Sequence, residues 1–458
     1  MPRPFFRPSL PGSPREVLSV ALPLIVNSAA FLVMQFSDRV FLARYSSTAI
    51  GAAMPAGILS FALLGFVASI AGYSGTFVAQ YAGAGNRKAC VGATMQGVYL
   101  SLLSLPFTLL LLPFGVWILG LFGHRAELLA EETVYYRWMV YGGVFLSMSW
   151  SMGGYFTGQR RMRPNVLSQV FACAVNVALD YALIFGVWGF PRMGIRGAAV
   201  ATFLAGTIPP LLQFGWMLRD RAVREMGWRE AFRFRPDLLR RIVRFGFPAG
   251  VQHVFDLGSF AVFLLLTGTL DELSLTASNV AFSINNLAFA PLMSFGNAAA
   301  ILVAQYQGGG RSDTAARAGW SGLRISWAYM AVAALVFVLL PRTLLSLFVP
   351  AESPFTAEQL FDRGSRLMLI MAAWGFFDAA NLVFIGALRG VGDTRFVMSV
   401  LVGTAWLFWI PGEWILFRHG CGIVAAWTWQ AIDIALCAIL FHLRWRRGRW
   451  RDIRLIGA

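Results

Sequence analysis

"VAQYAGAGNRKA" spans Val78–Ala89, and "VAQYQGGGRSDTA" spans Val303–Ala315. Each follows an apolar run, sets glycines behind an Ala-Gln-Tyr, and then turns into a charged patch. Three more landmarks recur in the same order and at nearly the same offset. Pro23 in "VALPLIV" answers to Pro248 in "FGFPAGV". "FTGQRRMRP" (Phe156–Pro164) answers to "FIGALRGVGDTR" (Phe384–Arg395), with Gly158 matching Gly386 and Arg161 matching Arg389. "GIRGAA" (Gly194–Ala199) answers to "GIVAAW" (Gly422–Trp427). Self-similarity at a fixed period means an architecture built twice.

The composition says what is repeated. Of 458 residues, 57% are hydrophobic and only 13% charged, with a mean hydropathy of +0.63. Soluble proteins carry roughly 25% charged residues, so this chain cannot coat a water-facing surface. Runs such as "SLLSLPFTLLLLPFGVWILGLF" (Ser101–Phe122) recur, each long enough to cross a bilayer as a helix. Twelve such segments are predicted, the first near residues 17–43, the seventh near 246–269 and the twelfth near 421–443. Lipid offers no partner to free backbone groups, so the spans are helices. The ten-residue alternation of barrel strands is absent. The fold class expected is therefore all-α integral membrane, with two six-helix lobes. Six is even, so each half starts and ends on one side, and the repeats are parallel around an axis along the membrane normal. The boundaries expected are an N-lobe at 1–218, a basic connector at 219–245, a C-lobe at 246–443 and a basic tail at 444–458. Two such lobes leave a central cleft that can open to either side.

Most of the 38 Lys and Arg fall in loops of one side, chiefly in "RDRAVREMGWREAFRFRPDLLRRIVR" (Arg219–Arg244) and "RWRRGRWRDIR" (Arg444–Arg454). The positive-inside rule then puts both termini in the cytoplasm. The net charge of +16 reads as seating on anionic inner-leaflet lipid and not as a nucleic-acid surface. The basic start "MPRPFFRPSLPGSPR" leads into an apolar segment too long for a signal-peptide core, so that segment is expected to stay as a span. Cys90, Cys173, Cys421 and Cys437 show no CxxC or zinc spacing and read as small core residues. The histidines are scattered and no GxxxxGK[ST] occurs, so neither a metal cluster nor ATP as a driving force is expected.

Ionisable groups inside spans cost about 2.5–3.5 kcal/mol each on insertion scales, which makes each a functional candidate. The first half has Asp38, beside Arg39 in "QFSDRVFLARYS", and Asp180 in "NVALDYALIFG". The second has Asp256 in "QHVFDLGSF", Asp378 in "WGFFDAANL" and Glu413 in "WIPGEWILF". Asn176 and Asp180 share a helical face. Asp38 either pairs with Arg39 or is free to bind an ion, since successive helix residues point about 100° apart. Asp256 and Asp378 lie at similar depths on helices seven and ten. His253 either bears on Asp256, one turn away, or hydrogen-bonds a carbonyl. Glu413, near an outer end, is expected to be solvated. A carboxylate in a dry pocket can exchange a proton or, beside neutral oxygens such as those of Asn176 and Thr202, hold Na⁺. Pro23 and Pro291 are expected to bend long helices.

The pieces "ALPLIV…FSDRVFLARYSSTAIGAA", "VAQYAGAGNRKA", "NVALDYALIFG…GIRGAAVAT", "GFPAGVQHVFD" and "DAANLVFIGALRGVGDTR" together resemble the multidrug and toxic compound extrusion family, in the right order over nearly the whole chain. The resemblance implies twelve helices in two lobes, V-shaped around a central cleft, and export of amphipathic, often cationic compounds in exchange for inward Na⁺ or H⁺. It places a first-lobe cation site on Asp38, Asn176, Asp180 and Thr202. It places the acidic pair of another branch on Asp256 and Asp378, the first being Asp where that branch often has Glu.

The competing reading is a lipid-linked saccharide flippase of the same superfamily. That function needs a basic cleft for pyrophosphate, whereas the intramembrane charges here are acidic apart from Arg39. A membrane-embedded enzyme would show DDxxD-type pairs or clustered His, and neither is present. The partners expected are small amphipathic molecules and the lipid bilayer of the inner membrane. No cofactor beyond the coupling ion is expected, no nucleic acid, and a monomer.

Overall fold

The structure is a computed structural model that describes residues 10–268, 270–348 and 355–456. The first nine residues of the basic start and the last two of the tail lie outside them. Helix follows helix throughout, and there is no strand among the described residues.

Twelve rods are present among the described residues. We number them α1 (Pro14–Tyr45), α2 (Ser47–Gly83), α3 (Arg87–Leu103 with Leu105–Leu121), α4 (Ala126–Tyr141 with Gly143–Gly158), α5 (Met162–Phe185) and α6 (Ile195–Leu218). The second set is α7 (Pro236–Thr267), α8 (Glu272–Gly308), α9 (Ser312–Leu339), α10 (Ala357–Val391), α11 (Thr394–Arg418) and α12 (Ile423–Arg446). Ten of them are long and apolar enough to cross a membrane, and α3 makes eleven if its two pieces, bent by 42°, count as one span. The bend has a local cause, because Pro106 cannot supply a backbone N–H as the second piece begins. The remaining rod, α4, is diluted by Gly, Ser, Trp and Tyr in "GGVFLSMSWSMGGY". The protein is a multi-pass membrane protein.

The largest boundary difference is at α7, which begins at Pro236 and not near 246. The Arg-rich lead-in is amphipathic: Leu238 and Ile242, one turn apart, are buried while Arg240 stays outside the core. A hydropathy reading sees only the arginines. Two short helices, Arg221–Met226 and Trp228–Ala231, precede it. They are seated on α3, where Tyr99 donates to the Phe232 carbonyl (2.5 Å) and Gln96 bonds both Arg233 O (3.1 Å) and Arg235 N (2.9 Å). Asp220 caps the first of them through the Ala222 N–H and pairs with Arg161. Burial alone would raise its carboxyl, but those contacts prevail and hold it below the usual carboxylate range.

The chain divides into two compact units, one of Pro23–Val254 and one of Met1–Leu22 with Phe255–Gly457. The division falls within α1 at Pro23 and within α7 after Val254. In each unit the doubled motif closes a helix in the same way. Gly85 (φ 76°) and Gly310 (φ 70°) take the left-handed conformation, and the following N–H reaches back to the tyrosine carbonyl: Asn86 to Tyr81 at 2.9 Å, Arg311 to Tyr306 at 2.8 Å. A side chain at either glycine would be strained, which is why the motif repeats Gly there. The Tyr306 hydroxyl also donates to Glu16 at the start of α1 (2.7 and 2.8 Å), and Glu16 accepts from Gly12 N (2.6 Å). Within the Pro23–Val254 unit, the Arg241 guanidinium lies over the Phe77 ring at 6.0 Å and acts on Tyr81.

Of the four cysteines, Cys90 and Cys437 are core residues as expected, while Cys173 and Cys421 are half-buried. Pro23 and Pro291 both sit inside unbroken helices.

Candidate functional site

In the Pro23–Val254 unit, an apolar cluster holds Leu42 of α1, Tyr135 and Tyr136 of α4, Ile184 of α5, and Ala198 and Ala199 of α6. Leu42 and Ile184 come one helical turn after Asp38 and Asp180, and Ala198 comes one turn before Thr202 on the antiparallel α6. Once those apolar neighbours meet, the polar residues one turn along must meet as well. They do. Thr202 Oγ1 donates to Asp38 Oδ2 at 3.4 Å, and Asp180 and Asn176 face Asp38. Close packing of α5 on α6 supports this: a Cβ at Gly197 would sit 2.7 Å from the Leu183 carbonyl oxygen.

Asn176 and Asp180 are fully buried and Asp38 is 8% exposed. Yet Asp38 Oδ1, both Asp180 oxygens and both polar atoms of the Asn176 amide meet no hydrogen-bond partner in good geometry. Buried polar atoms are normally satisfied. Two facing carboxylates that share a single long donor bond repel one another unless a proton or cation lies between them. Arg39 points outward and is exposed, whereas Asp38 is buried, so the carboxylate turns into the cluster and away from its sequence neighbour. Tyr135 of α4 faces both acids and Thr202. Sequence reading missed it, because a tyrosine in a run such as "TVYYRW" carries no signal of what it will face.

In the Phe255–Gly457 unit, Asp256 is exposed and Asp378 half-buried. Both lie within electrostatic reach of Cys437 on α12, as does Asp433. His253 Nε2 lies 3.3 Å from the Phe61 carbonyl, in the Pro23–Val254 unit, and its ring packs on Phe61 and Trp150. Glu413 corrects an expectation. It is buried, at 1% exposure, and Trp409 Nε1 donates to its Oε1 at 3.0 Å from one turn back. Asp433 was legible and overlooked: it is the lone acid in the apolar "AIDIALCAIL" of the last span. Among the described residues no group of three or more His, Cys, Asp or Glu is placed to hold a metal ion.

A sequence model of the MatE family matches residues 23–182 and again 248–415. The two matches open on Pro23 and Pro248, the paired prolines of the repeat. The chain belongs to the MatE family. It is 26% identical over 450 residues to a probable multidrug resistance protein NorM of Pseudomonas putida, covering 97% of this chain and 96% of that one. A probable NorM of Thermotoga maritima is 25% identical over 454 residues, with 96% and 94% covered. Among solved structures, a MOP superfamily transporter from Pyrococcus furiosus superposes with a TM-score of 0.84 at 17% identity, over 95% of this chain and 96% of that chain. An outward-facing multidrug resistance MATE family transporter does so with 0.84 at 16%, over 96% and 98%. The twelve-helix, two-lobe fold of a MATE transporter is therefore that of this chain.

Proposed function

We propose that this MatE-family transporter is a secondary antiporter that exports amphipathic cations in exchange for inward Na⁺ or H⁺. The observation that carries this reading is the cluster of Asp38, Asn176, Asp180 and Thr202: two buried carboxylates and neutral oxygens with unmet hydrogen-bonding capacity, on three helices of one unit. A proton shared by the two acids, or Na⁺ held among the four side chains, relieves the repulsion between them. The relatives named NorM support multidrug export as the cargo side of the exchange. The acids of the other unit, Asp256 and Asp378, supply negative charge for a cationic cargo or a second ion. Pro23 and Pro291 act as the bending points of α1 and α8. Excess Arg in the connector and tail orients both termini to the cytoplasm of an inner membrane.

Expression in a pump-deficient bacterium is expected to lower ethidium accumulation at least about tenfold, the scale of a coupled ion–substrate equilibrium. Collapse of the proton and sodium gradients restores it, and proteoliposomes with one gradient at a time identify the ion. Unchanged accumulation across a broad panel of cationic dyes overturns the reading in favour of the saccharide flippase.

A further inference from the structure

We infer that Asp433 of α12, positioned by Thr404 of α11, is a third carboxylate of the acidic site in the Phe255–Gly457 unit, and that this site takes an aromatic organic cation. The inference rests on the proposed reading that Asp256 and Asp378 face a positively charged cargo.

Asp433 and Cys437 lie one turn apart on α12 and share a face. Thr404 Oγ1 lies 3.1 Å from Cys437 Sγ and faces Asp433 one turn earlier on α12. On α10, Asn381 comes one turn after Asp378, and its amide donates to the Ile434 carbonyl at 3.0 Å, tying α10 to α12 beside Asp433. These contacts bring Asn381, Thr404 and Asp433 together from three helices, one turn along α10 from Asp378, and both acids act on Cys437.

The backbone beyond Thr404 is itself unusual. Residues Ala405–Trp409 form one π-helical turn within α11, an insertion that costs helix regularity and is found mostly at functional sites. Carbonyls at this turn are taken up from α12: Trp429 Nε1 reaches Trp409 O at 3.1 Å and Phe408 O at 3.4 Å. Trp429 lies one turn before Asp433, so the same contact that holds the π turn sets Thr404 against the carboxylate. The turn also presents Trp406 edge-on to Phe255 (5.6 Å between ring centres), next to Asp256.

Two further observations point to a ligand. Asp433 is 8% exposed and Asn381 5% exposed, yet Asp433 Oδ1 and Asn381 Oδ1 meet no donor. A buried carboxylate oxygen left in this way calls for a positive charge. The acids are not gathered tightly enough to hold a metal ion. A large cation with delocalised charge can instead address several acids at once, with one face on the partly exposed Phe255 and Trp406 rings.

The test uses the purified full-length protein and three probes: ethidium, tetraphenylphosphonium and the uncharged dye Nile red. Asp433→Asn is expected to weaken binding of both cations at least about tenfold, the loss of one charge contact in a poorly hydrated site, and to leave Nile red unchanged. Asp433→Glu retains cation binding. Thr404→Val weakens the cations less than Asp433→Asn does, and Thr404→Ser restores them. Unchanged cation binding in Asp433→Asn overturns the inference. So does a parallel loss of all three probes with a lowered melting temperature in Asp433→Asn together with loss in Asp433→Glu, which would make the residue structural. If Asp378→Asn weakens the cations and Asp433→Asn does not, the cation reading stands and this inference alone falls. If wild type binds neither cation, both fall.

Discussion

Asp38→Asn and Asp180→Asn are each expected to reduce ethidium efflux to the level of cells without the transporter, a loss of at least about tenfold. Asn keeps the shape of Asp and removes the charge that a proton or Na⁺ would answer. Because Asp38 and Asp180 face each other with Asn176 and Thr202 beside them, removing either charge takes away the reason for an ion to bind. Folding should survive, since neither Asp180 oxygen nor Asp38 Oδ1 holds a hydrogen bond that the substitution would break. The melting temperature in detergent is therefore expected to stay within a few degrees of wild type or to rise, as an unpaired buried charge is removed. Arg39→Gln supplies the contrast: Arg39 is exposed, so efflux is expected within about twofold of wild type, as for other surface substitutions. Normal efflux by both aspartate variants would move coupling out of this unit. Loss in Arg39→Gln equal to that in Asp38→Asn would make the pair a structural salt bridge.

The large features of this fold could be read because they are written in long-range repetition and in composition. Twelve apolar runs, the paired prolines and the doubled "VAQY" need no knowledge of packing, and the family match repeats from the same two prolines. What escaped reading depends on which side chains meet once the helices have formed and packed. Glu413 is near a span end, where hydropathy suggests water, but Trp409 reaches it from one turn back and closes it off. The start of α7 hides behind arginines although Ile242 is fully buried. Tyr135 joins the first acidic cluster only because α4 packs on α6, which carries Thr202. In the other unit, the only hint of the π turn beyond Thr404 in "GTAWLFWIPG" is Pro411, which cannot donate to the Leu407 carbonyl. Asp433 is the opposite case: its single charge in an apolar span was plain, and only its place beside the Asn381 tie to α10 needed the structure.

Among the described glycines, Gly386→Ala brings its new methyl closest to backbone and is expected to be strongly destabilising. A Cβ built there would lie 2.4 Å from the Gly296 carbonyl oxygen of α8, and one at Gly390 would lie 2.6 Å from that of Ala300. Both clashes are with backbone, so no side chain can swing away and the two helices must part. The first unit repeats the device: a Cβ at Gly158 would meet Ala79 N and Gly75 O at 2.9 Å, and one at Gly154 would lie 2.7 Å from the Gly75 Cα. Small residues at helix crossings are what lets membrane helices approach this closely. Overpacking of this kind costs about 1–3 kcal/mol and sometimes more. Gly386→Ala should therefore lose several degrees of melting temperature, roughly 5 °C or more, in detergent. Gly403→Ala is the control, since nothing lies within 4 Å of its added carbon. It should melt at or above wild type, as Ala is the better helix former. Equal melting of the two variants would show that α8 and α10 are not in close contact. The change also reaches the acidic site, because Asp378 lies two turns before Gly386 on the same helix. Any Gly386→Ala protein that remains folded should bind ethidium more weakly than Gly403→Ala, as parting α10 from α8 moves the carboxylate relative to Asp433.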